Sequence, residues 1–277
     1  MKIGRLKIGK PLIAVAITAF AAFILAPLLW MLTASLRAPM DAFKWPPRLF
    51  PTEFNTRNYE IVFEKVDIFK FLLNSVKIAV LGTGTQVICA SMAAYAFARL
   101  RFRGSKLLFM LFLSAMMIPG TVLGIPRFII MSKLGLIDTH FALILPAAFG
   151  VMGIFLIRQY MLTIPKAYDE AATIDGASRF FIFSRIIVPM TKPAIIVIAV
   201  QTFIGNWNDF YGPLIYINSE SKMTLPLGLT ALNGMLGAGN QAALLASVLM
   251  TLIAPLLFYT FGQRYLVEGI NLGGVKG

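Results

Sequence analysis

Glu170-Ala171-Ala172-Thr173-Ile174-Asp175-Gly176-Ala177, with nine residues between Gly176 and the following Ile186-Ile187-Val188-Pro189, is a polar, small-residue island between two long apolar runs. Its local chemistry predicts two short helices joined at Gly176. Pro165 suits a first helical turn, and Asp169 and Glu170 fall early, where carboxylates favour the positive helix end. Gly176 can take the left-handed conformation that stops a helix. Ser178 can cap the second helix, and Pro189 bounds it. Ala171, Ala172 and Ala177 keep the surface low, and Phe180, Phe181 and Phe183 supply apolar anchors. A helix pair lying on lipid would carry Lys and Arg on its polar face. The first helix instead has Asp169, Glu170 and Asp175 against Lys166 alone, which favours docking onto a protein.

The apolar runs on either side belong to a bilayer. The 277 residues are 58% hydrophobic and 13% charged, with a mean hydropathy of +0.79. Soluble domains carry about 25% charge. The net charge is +13. Its cations sit at the edges of apolar runs rather than in a patch, which fits the positive-inside bias of a membrane protein better than nucleic-acid binding. Cys89 is the single cysteine and His140 the single histidine. An intrachain disulfide, a thiolate metal cluster, a histidine-based triad and a zinc site therefore have nothing to build on. No cofactor is expected.

Six runs have the length that crosses a hydrocarbon core, roughly 17–25 residues. They cover 12–36, 71–98, 107–130, 141–157, 194–217 and 242–261. Lys2, Arg5, Lys7 and Lys10 precede the first run; Arg99, Arg101, Arg103 and Lys106 lie between the second and third. Neither group contains an acid, so both are expected in the cytoplasm. The fold expected is therefore an all-α integral membrane protein of six transmembrane helices, N-in and C-in, with a cytoplasmic helix-turn-helix coupling loop. Residues 1–11 form the cytoplasmic N-terminus, 12–36 the first helix, read as a retained anchor, and 37–70 an external loop. Residues 71–265 form a five-helix core containing the coupling loop at 159–192, and 266–277 a cytoplasmic tail. The charge rule alone places that loop inside.

The fifth run contains Asp209, about 24 Å from its inner end at 1.5 Å per residue. A carboxylate at that depth needs a cavity or a partner. Asn206 and Asn208 offer amides, and Trp207 and Tyr211 flat faces, so these residues with Asp209 form a candidate pathway lined for a polyol. A helix-packing cluster around a break at Gly205, Gly212 and Pro213 is an equally weighted reading. Asn74 is a further pathway candidate, although hydrogen bonding to neighbouring helices is its favoured reading. Pro119-Gly120 and Pro126 are expected to kink the third span.

The Glu-Ala-Ala, three residues, Gly, nine residues, Ile-x-Val-Pro pattern resembles the EAA loop of ABC importer permeases, with Val188 where Leu is commoner. Further resemblance to carbohydrate-importer permeases of the maltose or glycerol-phosphate type lies in Asn74-Ser75, Ala93-Ala94-Tyr95-Ala96-Phe97-Ala98-Arg99 and Met117-Ile118-Pro119-Gly120. It continues in Ser132-Lys133-Leu134-Gly135-Leu136-Ile137-Asp138-Thr139, Trp207-Asn208-Asp209-Phe210 and Gln263-Arg264-Tyr265 with Gly274-Val275-Lys276-Gly277. The resemblance is to the smaller permease of such an importer. It implies a sugar substrate, a second permease as heterodimer partner, a cytoplasmic ABC ATPase dimer, an external solute-binding protein, and a place in a prokaryotic inner membrane among its lipids. It also implies that Asp169, Glu170, Ala171, Ala172, Asp175, Gly176, Ala177 and Phe180 dock the ATPase. Gly82-Thr83-Gly84-Thr85 lacks the lysine of a nucleotide-binding loop, so ATP hydrolysis is expected from another chain. A self-contained secondary transporter or channel is the alternative. It is disfavoured by the few paired intramembrane charges and the lack of a visible inverted repeat.

Overall fold

The computed structural model describes residues 9–46, 50, 53–236 and 239–273. The expectations placed on Lys2, Arg5 and Lys7 and on Gly274-Val275-Lys276-Gly277 lie outside these residues. Among the described residues every regular element is helical. In chain order these are α1 (Gly9–Ser35), α2 (Arg57–Lys65), α3 (Ile68–Arg99), α4 (Ser105–Ala115), α5 (Gly124–Lys133), α6 (Phe141–Ala147) and α7 (Val151–Thr163). They continue as α8 (Ala167–Ile174), α9 (Arg179–Phe181), α10 (Val188–Met190), α11 (Lys192–Trp207), α12 (Tyr211–Tyr216), α13 (Leu225–Leu236) and α14 (Gln241–Gly273).

Four helical stretches are long and apolar enough to cross a membrane: Pro11–Ser35, Ile68–Arg99, Phe141–Thr163 and Gln241–Thr260. Arg179–Met190 and Lys192–Trp207, bent by 77°, make a fifth if taken as one span. The run at 107–130 is not one continuous helix. It is divided into α4 and α5 by turns around Pro119-Gly120. Proline there supplies no backbone donor, and glycine favours turns over helix.

The chain forms two compact units, Met1–Ile68 with Leu229–Leu252, and Phe69–Gly228 with Ile253–Gly277. In the first, the apolar surface of α1 is bare along most of its length, as a lipid-facing helix requires. Its C-terminal end is tied down by Asn58 of α2, whose buried amide donates to the carbonyls of Ser35 at 2.8 Å and Arg37 at 2.7 Å. The Ser35 carbonyl is an orphan of the helix end and Arg37 follows just beyond it, and the amide satisfies both.

Two apolar cores are seen among the described residues of the second unit. One gathers Ala90, Ala94, Ile154, Ile157, Met161, Ile187 and Ile198 from α3, α7, the segment before α10, and α11. The alanines on α3 let these helices approach closely, the usual way of packing helices in lipid. The other gathers Ile78, Met131, Leu143, Tyr216 and Leu227. The first core lies under the Glu170–Gly176 region; the second lies beside the polar residues of the fifth run.

Candidate functional site: a docking helix and a polar cavity

The Glu170–Gly176 region is a helix, a glycine and a second helix. α8 ends where Gly176 adopts φ +80°. Gly176 N–H donates to Thr173 O at 3.1 Å and Ala177 N–H to Ala172 O at 2.9 Å, closing the paired bonds of a Schellman stop. Ser178 caps the next helix by accepting from Phe181 N–H at 3.2 Å. The turns after α9 then loosen: Ile182–Ile187 is π-helical, and Val188 N–H reaches back to Phe183 O. Pro189, which has no N–H, follows directly. Thr191 closes the segment, its hydroxyl donating to Ile187 O at 2.7 Å, and the 77° bend follows. A π-turn next to a proline is a recognised cause of so sharp a kink.

The eight residues expected to dock divide into two groups. Ala172 is buried, and Ala177 packs half-buried on the same core, so these two seat the loop on the protein beneath. Asp169 also points inward: its Oδ2 lies 3.4 Å from the Nε of buried Arg99, and Arg99 donates to Ile164 O at 2.8 Å. That distance marks an ion pair without the alignment of a hydrogen bond, since neither of the two atoms has a hydrogen-bond partner. Glu170, Ala171, Asp175, Gly176 and Phe180 face outward. Beside them lies a groove of about 410 Å³ lined by Ala167, Tyr168, Ala171, Ala172, Asp175 and Ile186. Ile174, 86% exposed, and Phe180, 72% exposed, are bare large apolar side chains of the same stretch. Ile174 was not singled out from the sequence. Its signal is a large apolar side chain at the last position of an otherwise polar helix.

The pathway residues also divide. Asn206, Asp209 and Tyr211 line one cavity of about 460 Å³, together with Thr121, Arg127 and Tyr216 among others. Three glycines make room for its polar groups. A Cβ at Gly82 would lie 2.7 Å from Asn206 Nδ2, one at Gly124 would lie 2.5 Å from the Tyr211 hydroxyl, and one at Gly212 would collide with Asp209 Oδ2. Asp209 also stops the helix break from unravelling, because its Oδ1 accepts from Gly212 N–H at 3.0 Å. The packing and cavity readings of Asp209 are thus both present in one side chain. Asn74, Trp207 and Asn208 are not in this cavity. Trp207 is buried and stacks on Phe203 at 6.0 Å. Asn74 donates to Ser221 O at 3.1 Å and Met223 O at 2.9 Å, holding a loop. Asn208 is exposed. Arg127, Thr121 and Tyr216 were not picked out, because only the fold brings α5 beside the fifth run.

The loop that Asn74 holds is clamped from a second side. Asp138, at φ +57°, accepts from the N–H groups of Asn218 and Ser219, from the Ser219 hydroxyl, and from Lys222 Nζ at 2.8 Å. Lys222 and Ser219 hold its carboxyl well below the usual carboxylate range. His140 Nε2 lies 3.0 Å from Lys222 O, and burial lowers its pKa, with Lys77 and Lys222 adding to the shift.

Comparison with known proteins agrees with this architecture. Residues 86–271 match the family described as binding-protein-dependent transport system inner membrane component. The chain is 35% identical over 263 residues to the arabinooligosaccharides transport system permease protein AraQ of Halalkalibacterium halodurans, covering 94% of each. It is 32% identical over 265 residues to the inner membrane ABC transporter permease protein YcjP of Escherichia coli, covering 93% of each. In fold it is similar to a chain of a bacterial ABC transporter involved in the import of the acidic polysaccharide alginate, with a TM-score of 0.81, 24% identity, and coverage of 96% of this chain and 99% of that one. The Glu170-Ala171-Ala172 stretch with its spaced glycine is a characteristic motif of such permeases. The chain is a multi-pass inner-membrane protein of a prokaryote. By the extent of the match and by these relatives, it belongs to the inner-membrane components of binding-protein-dependent ABC transport systems.

Proposed function

We propose that this chain is one of two permeases in an ATP-driven carbohydrate importer, docked through Glu170, Ala171, Asp175, Gly176 and Phe180 to a cytoplasmic ATPase pair. An external binding protein delivers the sugar. Both termini lie in the cytoplasm, and six spans cross the membrane, the third being the broken α4–α5 pair. The names of the relatives, among them an arabinooligosaccharide permease, support the substrate class.

The observation that carries the reading is the outward face of α8. A helix tip with an 86% exposed isoleucine, two outward carboxylates, Glu170 and Asp175, and a small-residue groove alongside is shaped to seat into a protein cleft. Asp169, Ala172 and Ala177 fix that face to the core, so a push on it reaches the membrane helices.

Glu170→Lys tests this. In the co-expressed complex it should lower ATPase co-purification and transport at least about tenfold, as charge reversal at a docked carboxylate does. The amount of permease in the membrane should be unchanged. Full ATPase association and full transport by this variant would remove α8 from the interface.

A further inference from the structure

We propose that Arg127 sets the substrate class of the α5–α12 cavity by reading a single carboxylate on a hydroxyl-rich solute. The proposal rests on the permease reading above and adds the chemistry of what passes.

The lining is polar at few points and well spaced. Arg127 is its only cation and Asp209 its only anion, with Asn206, Thr121, Tyr211 and Tyr216 supplying hydroxyl and amide groups. Arg127 takes part in none of the ion pairs among the described residues. Asp209 is not its counter-ion: the two are not within salt-bridge distance, and Asp209 Oδ1 is held by Gly212 N–H. Asn206 Nδ2 is buried without a hydrogen-bond partner. The stack of Phe128 on Tyr216, with planes 4° apart, fixes the wall next to Arg127.

Arg127 is exposed, and an incoming anion would give its guanidinium a charge partner. Arginine presents a planar fork of donors that matches a carboxylate in two places. The lining carries one positive and one negative charge, so it balances a monoanion whose hydroxyls turn toward Asp209. A solute with a doubly charged phosphate would meet Asp209 with charge to spare. The volume, about 460 Å³, lies within the range of small-molecule sites. These features together describe a site for a uronic acid unit rather than for a neutral sugar or a sugar phosphate.

The complete importer in proteoliposomes, with its binding protein outside, provides the test. The probes are the single-carboxylate sugars galacturonate, mannuronate and glucuronate, each beside its methyl ester, which keeps the sugar and removes the charge. At least one free acid should be taken up about tenfold or more faster than its ester. Arg127→Gln should cut uptake of that acid by at least about tenfold per assembled complex, with the ester unaffected, and Arg127→Lys should fall between. The proposal is overturned if no free acid is transported, if acid and ester move alike, or if Arg127→Gln slows both equally, which would place Arg127 in packing or on a lipid headgroup. Failure of the permease reading gives a different result: no ATPase co-purifies and no sugar of any charge is transported.

Discussion

Asp138 combines backbone geometry and charge in a single residue. Aspartate is among the few L-residues that tolerate positive φ, since its short side chain bonds locally. Here that side chain accepts from two backbone N–H groups, a hydroxyl and an ammonium. Asp138→Asn keeps the shape and the φ tolerance, but turns an amide donor toward the Ser219 hydroxyl or the Lys222 ammonium. The variant should unfold about 2–4 °C lower in detergent at pH 7. A carboxyl depressed in the folded state contributes stability above its unfolded value and loses it as pH falls through the folded one. The gap between variant and wild type should therefore persist through neutral pH and narrow only below about pH 4. His140 has the same sign: its lowered value favours the neutral ring, so the clamp weakens as pH drops below about 6.5. Equal thermal midpoints at pH 7 would show that the clamp adds nothing to the fold.

Among the elements, α8 was legible in the sequence almost residue by residue. Gly176 and Ser178 each have one strong local preference, and the chain follows both, whereas Pro165, expected in the first turn, precedes the N-cap Lys166 and lies outside α8. The apolar runs were equally legible as helices, since hydropathy and length are local properties. The π-turn before Pro189 and the 77° bend were not, because hydrophobic runs look alike whether straight or folded back. The break between α4 and α5 was half visible: Pro119-Gly120 marks its place, but not that it separates two helices. Trp207 was misleading as a stacking face, because composition does not say which side of a helix meets the core. Arg127 was invisible beside Asp209, being 82 positions away in a chain read one segment at a time. At Gly176 nothing lies within 4 Å of an added Cβ, so the requirement there is conformational. Gly176→Ala should weaken ATPase association by about 5–30-fold, the equivalent of the roughly 1–2 kcal/mol that a left-handed L-residue costs. Gly176→Asn should weaken it less. Equal association of all three would show that the stop does not set the docking geometry.

At the scale of the whole molecule, loop charge and motif agree on orientation. An alkaline phosphatase or fluorescent reporter fused after Gly277 should read as cytoplasmic. A single cysteine at Glu220, in a Cys89→Ser background, should react with an impermeant maleimide from outside. External labelling at the C-terminus would overturn the six-span arrangement. The two faces so assigned are joined by α11, which leaves the docking region at the Thr191 bend and delivers Asn206 to the cavity. α11 has 16 residues, so it is an arm about 24 Å long at 1.5 Å per residue. A rotation of about 10° about Thr191 would sweep the far end of such an arm through roughly 4 Å, more than the width of a water molecule. The kink thus sets a mechanical ratio: a tilt at its base too small to disturb a docked interface is magnified, at the far end of the arm, to the dimensions of a gate.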